Sequence, residues 1–286
     1  MERLVTYFET IPSAHRSLIL AGGIAFFWLI ESAVPLFRFA EGGSGYHRIR
    51  HAGINLFFTL TTVLVNFVLA FLLLRTSAWA VAQGVGVLPW LSLPLWAEAI
   101  VGLLLLDLIG AWFAHWTEHH VRWMWQFHLI HHADTYVDTT TANRHHPGES
   151  VIRFVFTLAA VLLTGAPMWL VFLYQSLSVV LSQFNHANIE LPRAVDRALN
   201  WLLVTPNMHH VHHHDTLPLT NTNYGNIFSL WDRLFGTYAA EEGRNLRYGI
   251  DTYPDPAEHN RLAGLLKIPF GTYRPPRGAH QRIRHR

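Results

Sequence analysis

The pattern of apolar and polar positions divides the chain into four long apolar blocks and a polar, histidine-rich remainder. Residues 18–37 are apolar apart from Glu31 and a late Pro35. Residues 54–74 carry no charge. Residues 93–116 carry Glu98 near one end and Asp107 in the middle. A helix of about 20 apolar residues crosses the hydrocarbon of a bilayer, so each block predicts one transmembrane helix. The fourth block, residues 154–184, is 31 residues long, too long for one ordinary span. Gly165, Ala166 and Pro167 sit near its middle, where proline breaks a helix. The block therefore predicts a helical hairpin whose legs enter and leave on one side. The first fifteen residues mix charge and polarity, and no small-residue cleavage site follows a short apolar core, so the first apolar segment is expected to be retained. With no internal repeat or long linker, the expectation is one all-α, integral-membrane domain over residues 1–286.

Composition sharpens this picture. Half of the 286 residues are hydrophobic (51%) and only 14% are charged, against about 25% in a soluble domain. That deficit excludes a disordered or nucleic-acid-binding chain. Eleven Trp and eighteen Phe suit a protein with aromatic belts at the membrane interfaces; Trp112, Trp116, Trp123 and Trp125 are read as such anchors. The absence of cysteine removes disulfides, Cys-ligated zinc and iron–sulfur clusters. Arg38, Arg48 and Arg50 lie in the first loop, none in residues 76–94, and many follow residue 184. Positive charge stays inside, so the first loop and the C-terminal part are expected in the cytoplasm, with the 76–94 loop and the N-terminus outside. In a bacterial cell this would be the inner membrane. Residues 271–286 carry Arg274, Arg277, Arg282, Arg284 and Arg286 without an acid, either a solvated end or a tether to anionic headgroups.

Twenty histidines are the second large signal, and they are clustered. His115 and His119 are four apart, on one helix face. His128, His131 and His132 follow as H-x-x-H-H, and His209, His212 and His213 repeat that spacing. Between them stand His145 and His146 in NRHHPGE and His186 in FNHAN. Imidazole pairs at these spacings deliver two donors from one rigid element, and imidazole suits iron, zinc, copper and nickel. Eight or nine converging histidines are too many for one ion and about right for two. The clusters also sit where the membrane segments end, all on the expected cytoplasmic side, as a histidine-rich helical cap. The spacing leaves two registers open, because His210, His213 and His214 also read H-x-x-H-H, and His115 with His120 is a third possible pair.

The ordered set D-x7-H-x3-H, W-x2-H-x2-H-H, T-A-x-R-x-H-P-x-E, F-x-H-x-N, T-P-x-x-H-x-V-H-H, N-Y-G and W-D-R-L-F-G-T-Y, over residues 107–238, resembles the fatty acid hydroxylase/sterol desaturase superfamily of integral-membrane di-iron oxygenases. Ala111 and Trp116 depart from the usual pattern around the first box. The resemblance implies two iron ions held by His115, His119, His128, His131, His132, His186, His209, His212 and His213, and it selects the earlier register. Asp107, His146, Glu149 and Asn188 are expected beside the ligands: Asp107 to take a hydrogen bond from a ligand imidazole, and Glu149 to pair with Arg144. The resemblance further implies dioxygen as oxidant and hydroxylation or desaturation of a lipid C–H bond. Electrons would come from outside (a ferredoxin, cytochrome or reductase), because no flavin or haem motif is present. Two other classes compete: a histidine-rich metal transporter or buffer, and a membrane zinc hydrolase. The transporter would favour histidines inside the spans, and the hydrolase an H-E-x-x-H order where this chain has H-x-E-H.

Overall fold

The computed structural model describes residues 1–39, 47–241 and 245–276. Among these residues the protein is helical, with no strand beyond isolated bridges such as Pro35 to Ile189. The helices are α1 (Glu2–Glu9), α2 (Ser13–Ala33), α3 (Arg48–Gln83), α4 (Val87–Leu91), α5 (Leu95–Asp107), α6 (Ala114–His120), α7 (Arg122–His132), α8 (Pro147–Thr164), α9 (Met168–His186), α10 (Arg193–Asn200), α11 (Pro206–His212), α12 (Leu230–Leu234), α13 (Pro256–His259) and α14 (Leu262–Lys267).

Four helical runs among the described residues are long and apolar enough to cross a membrane: Ser13–Ala33, Arg48–Leu91, Leu95–His120 and Pro147–Thr164. This is a multi-pass membrane protein. The second run starts before the apolar block and continues well past it, so the loop expected over residues 76–94 shrinks to two short turns. Gly84 ends α3 with φ +63°, a left-handed cap that glycine adopts without a side-chain penalty. The expected hairpin is present as α8 and α9. Gly165 caps α8 at φ +72°, and Pro167 is the N-cap of α9. The second leg, α9, carries Gln175, Ser176, Ser178, Ser182 and Gln183, and it is not among the four runs.

Antiparallel packing sorts the helix ends. The end of α2, the start of α3, the end of α6, the start of α8 and the end of α9 meet at one end. Hydrogen bonds from Thr139 N and Asn188 N to Glu31 Oε2, both 3.1 Å, join α2 and α9 there through the short helix Thr139–Asn143. At the other end Ser77 Oγ donates to Ala166 O at 2.7 Å, and Gly86 packs against the Gly165 backbone. Between the ends lies an apolar core that includes Leu73, Leu106, Phe154, Val161 and Leu170. A second core, built on Trp125, Leu129, Ile130, Leu265 and Ile268, holds α7 and α14 together in the cap.

One expectation changes here, and one goes largely untested. Trp112 and Trp125 are buried rather than interfacial, and only Trp123 of that group is largely exposed. Trp112 is held inside because its Nε1 donates to Asp232 Oδ1 at 3.0 Å. The basic-tail expectation falls largely outside the described residues, at Arg277 and beyond; Arg274 is described, and pairs with Glu258 at 2.6 Å.

Candidate metal centre

Four elements supply the histidines, and each is locally fixed. Between α5 and α6 the helix passes through a π-helical stretch, Leu108–Phe113, that sets the register of His115 and His119. Such a bulge shifts every later side chain around the helix and recurs at functional sites. The α7 helix presents His128, His131 and His132. The end of α9 presents His186. Pro206 opens α11, and the Thr205 side chain accepts from Met208 N, which aims His209, His212 and His213 inward.

These nine imidazoles assemble into two groups. His115, His119, His128, His132 and His212 form one; His131, His186, His209 and His213 form the other; in each, ring nitrogens lie within 4.8 Å of one another. Each H-x-x-H-H box serves both groups. The first gives His128 and His132 to one and His131 to the other; the second gives His212 to one and His209 with His213 to the other.

In the larger group His115, His128, His132 and His212 follow one another around a square, with ring centroids 4.8, 4.9, 4.5 and 4.5 Å apart. His119 stands 4.8–5.1 Å from all four. His119 thus packs against every ring of the other four, and one compact cluster of five imidazoles results. In the smaller group His213 lies 4.7–5.1 Å from His131, His186 and His209, while His186 touches both His131 and His209.

Neighbouring groups fix which nitrogen faces inward. The Nδ1–H of His115 donates to Tyr224 O (2.9 Å), that of His186 to Ser182 O (2.7 Å) and that of His212 to Thr222 O (2.6 Å). His128 Nδ1–H donates to Glu149 Oε1 at 2.7 Å, and His119 Nδ1–H to Asn221 Oδ1 at 3.1 Å. Such outer bonds set the tautomer and leave Nε2 as a lone pair for a metal. Burial, then the neighbouring imidazoles, lowers the pKa of His131, His132, His209, His212 and His213. Burial also takes His128 down to about 4 despite the pull of Glu149. The rings outside the spans are thus held neutral, the form that ligates.

The donor set fits metal ions. The Nε2 atoms of His115 and His128 are 3.0 Å apart, yet both rings carry their proton on Nδ1. Two lone pairs that close repel unless a cation lies between them. Two ligands at right angles, each about 2.1 Å from an ion, lie about 3 Å apart. The Nε2 atoms of His119, His132, His212 and His213 are buried without a protein partner, a cost that a bound metal ion offsets.

The four residues expected beside the ligands fare differently. Glu149 is in place, but its partners are His128, His145 and Arg153 rather than Arg144. Arg144 instead lies 3.6 Å from Asp134 and donates to Ile130 O and His259 O. Burial would raise the Asp134 carboxyl, but the charges of His51 and Arg144 beside it hold it far below the carboxylate range. Asp107 takes no imidazole. Its oxygens accept from Ile227 N, Phe228 N and Trp231 Nε1. His146 faces away: its Nδ1 accepts from Gly148 N as the cap of α8. Asn188 clasps Phe37, accepting from its N and donating to its O, both at 2.8 Å.

Sequence reasoning missed His145, Glu118, Arg153 and Asn221. His145, not His146, stacks 4.9 Å from His131 and contacts Glu149 Oε1 at 2.7 Å. Arg153 bridges Glu149 at 3.1 Å and the buried Glu118 at 2.7 Å. The signal for His145 was the adjacent pair in NRHHPGE, which spacing alone could not resolve.

The family described as fatty acid hydroxylase matches residues 99–237. An ornithine lipid hydroxylase of Rhizobium tropici is 26% identical over 145 residues, 51% of this chain and 43% of that protein. An alkylglycerol monooxygenase of Danio rerio is 32% identical over 167 residues, 58% of this chain and 35% of that protein. A cholesterol 25-hydroxylase-like protein of Danio rerio is 29% identical over 124 residues, 43% of this chain and 48% of that protein. The chain spans less than half the length of these relatives. No solved structure matches it. The matched stretch contains every histidine of both groups, and over residues 99–237 the chain is similar to the fatty acid hydroxylase family.

Proposed function

We propose that this protein is a membrane di-iron oxygenase that hydroxylates or desaturates a C–H bond of a lipid, with the site on the cytoplasmic side. The observation that carries the reading is the five-plus-four division of buried imidazoles, whose facing lone pairs call for two cations. Imidazole alone accommodates several metals; iron is favoured because the relatives are named as hydroxylases and a monooxygenase. Two reduced irons, when bound, give dioxygen the power to remove hydrogen from an unactivated carbon. In the hydroxylation, R–H, O2, two electrons and two protons give R–OH and H2O. The electrons come from an external donor such as a ferredoxin, cytochrome or reductase.

The chain's own residues do the rest. Carbonyls of Tyr224, Ser182 and Thr222 and the carboxylate of Glu149 hold protons on Nδ1, so every oriented ring presents Nε2. His115, His119, His128, His132 and His212 would hold one ion, and His131, His186, His209 and His213 the other. All nine rings are at most 9% exposed, which keeps bulk water from the oxidant. A lipid substrate follows from the site's position at the inner ends of membrane helices. The fatty acyl, sterol-like and ether or amino lipid classes all suit this position.

The test is metal content and product together. Protein purified aerobically from iron-replete cells in mild detergent should hold about two irons per chain. Lipids of a deletion strain should lack a species heavier by one oxygen than its precursor, or a desaturated counterpart. Stoichiometric zinc with full activity would sink the di-iron reading.

A further inference from the structure

Asp107 lies in the middle of a membrane run, yet it binds backbone rather than metal. The segment it binds, residues 225–231, is reached only after the chain has passed the last histidine box. Two rulers give its depth. Asp107 is eight residues before His115 on one helix, and Ser178, whose Oγ accepts from Asn226 Nδ2 at 2.8 Å, is eight residues before His186 on α9. At 1.5 Å per α-helical residue, and somewhat less through the π stretch, both put the segment about 10 Å below the histidines. A hydrocarbon core of about 30 Å starting at Leu95 ends near Ala114, so Asp107 sits about 12 Å inside it.

Non-helical backbone at such depth is tolerated only when its polar groups are satisfied from within the protein. Here they are. Asp107 accepts from Ile227 N (3.3 Å), Phe228 N (3.2 Å) and Trp231 Nε1 (3.0 Å). Asp232 accepts from Tyr224 N (2.9 Å) and Gly225 N (2.8 Å). Val204 N donates to Ile227 O at 3.0 Å, Ser229 N to Leu202 O at 3.1 Å, and Asn185 Nδ2 to Asn226 O at 3.0 Å. Leu203, Ile227 and Phe228 pack into the core of the membrane helices. The outer edge is apolar and uncovered: Trp201 is 75% exposed, Leu202 58%, Leu234 64% and Phe235 49%. That edge runs on into the lipid-facing side of the third membrane run, because Phe235 stacks on Trp112 at 4.4 Å beside the exposed Phe113.

We propose that residues 200–204 and 224–235, on either side of the last histidine box, form a re-entrant segment that dips into the leaflet nearest the histidines, with lipid acyl chains as the partner of its Trp201–Leu202–Leu234–Phe235 edge. The two buried aspartates are the clamps that make a non-helical dip possible. Arg233, over the Trp201 and Tyr238 rings and donating to Asn200 O at 3.1 Å, anchors its base.

The chain has no cysteine, so single labels are unambiguous. Leu202→Cys and Leu234→Cys, spin-labelled in proteoliposomes of the full chain, should show the same ratio of oxygen to nickel-chelate accessibility as Phe67→Cys on the exposed face of α3. Arg247→Cys, in the polar part of the cap, should show the opposite bias. Retained metal content shows that each variant is folded. If positions 202 and 234 match position 247, the edge faces water, is left for a protein partner, and the dip is refuted. This outcome is independent of which metal the site holds or which lipid it oxidises.

Discussion

At the scale of single residues, neighbouring histidines do unlike jobs. His209, His212 and His213 point into the two donor groups, while His210 is equally buried but bonded elsewhere. Its Nε2–H donates to His186 O at 3.1 Å, and its Nδ1 accepts from the Tyr248 hydroxyl. His214 is partly exposed and lies 3.5 Å from Asp215. Alanine at 209, 212 or 213 should abolish activity and lower bound metal, measured by elemental analysis. His214→Ala should change neither. His210→Ala should cost about 1–3 kcal/mol of stability, from two unpaired buried groups, while folded protein keeps its metal; loss of metal equal to that of His209→Ala would show the register is wrong. Glu149→Gln should weaken metal binding about 10- to 100-fold, because His128 loses the carboxylate that orients it. The nine histidines stand out in the sequence because helical spacing puts them on shared faces. The choice between His145 and His146 does not, because it turns on a proline-started helix whose first residue decides which ring caps it and which faces the metals.

Element-scale features explain what hydropathy reads and what it misses. The four apolar blocks are visible because lipid contact demands unbroken apolar runs, and Gly165 with Pro167 marks the hairpin turn. The π stretch Leu108–Phe113 leaves no such mark; it is one extra residue in a turn, set by tertiary contacts. Deleting Gly110 would take up that extra residue and leave plain α-helix, with His115 and His119 facing nearly the same way relative to α5. Such a variant should insert, express and keep its metal content. Loss of metal would mean that the π stretch itself holds the two rings in place. Gly165→Ala should destabilise the hairpin by about 1–2 kcal/mol from left-handed backbone alone. The added methyl also meets Val85 O and Pro89, and a thermal melt in detergent would measure the sum.

For the whole molecule, orientation and acid sensitivity are the tests. Ala82 and Glu190 are both exposed, at opposite ends of the helices. Cysteines placed there should label from opposite sides of the membrane, position 190 from the cytoplasm; labelling of both from one side would refute the path. Ser150, by contrast, is buried against Thr62 at 2.9 Å and cannot report. Burial lowers His210, like His128, to about 4 from an ordinary 6.5. The unfolded chain then binds protons that the native one refuses, so stability is fully present above about pH 6.5 and falls as pH drops toward 4. Chelator-stripped protein should lose its thermal transition over that window, and a flat profile would contradict neutral buried rings. The loop clamped by Asp107 was not legible from sequence, because the acid and its partners are 120 residues apart and share no pattern.

The interleaving of the two histidine boxes also sets an order of assembly. His115, His119, His128 and His132 leave the ribosome first, so the larger group has four of its five rings long before the smaller has more than His131. From His115 to His213 synthesis takes about 5–20 s at about 5–20 residues per second. His209, His212 and His213 then arrive almost together, after the hairpin has been made, and complete both groups at once. A nascent chain can therefore hold its first ion while the second has only His131 and His186 to greet it. On the two-ion proposal, withholding metal during translation should therefore leave more half-loaded protein than withholding it afterwards.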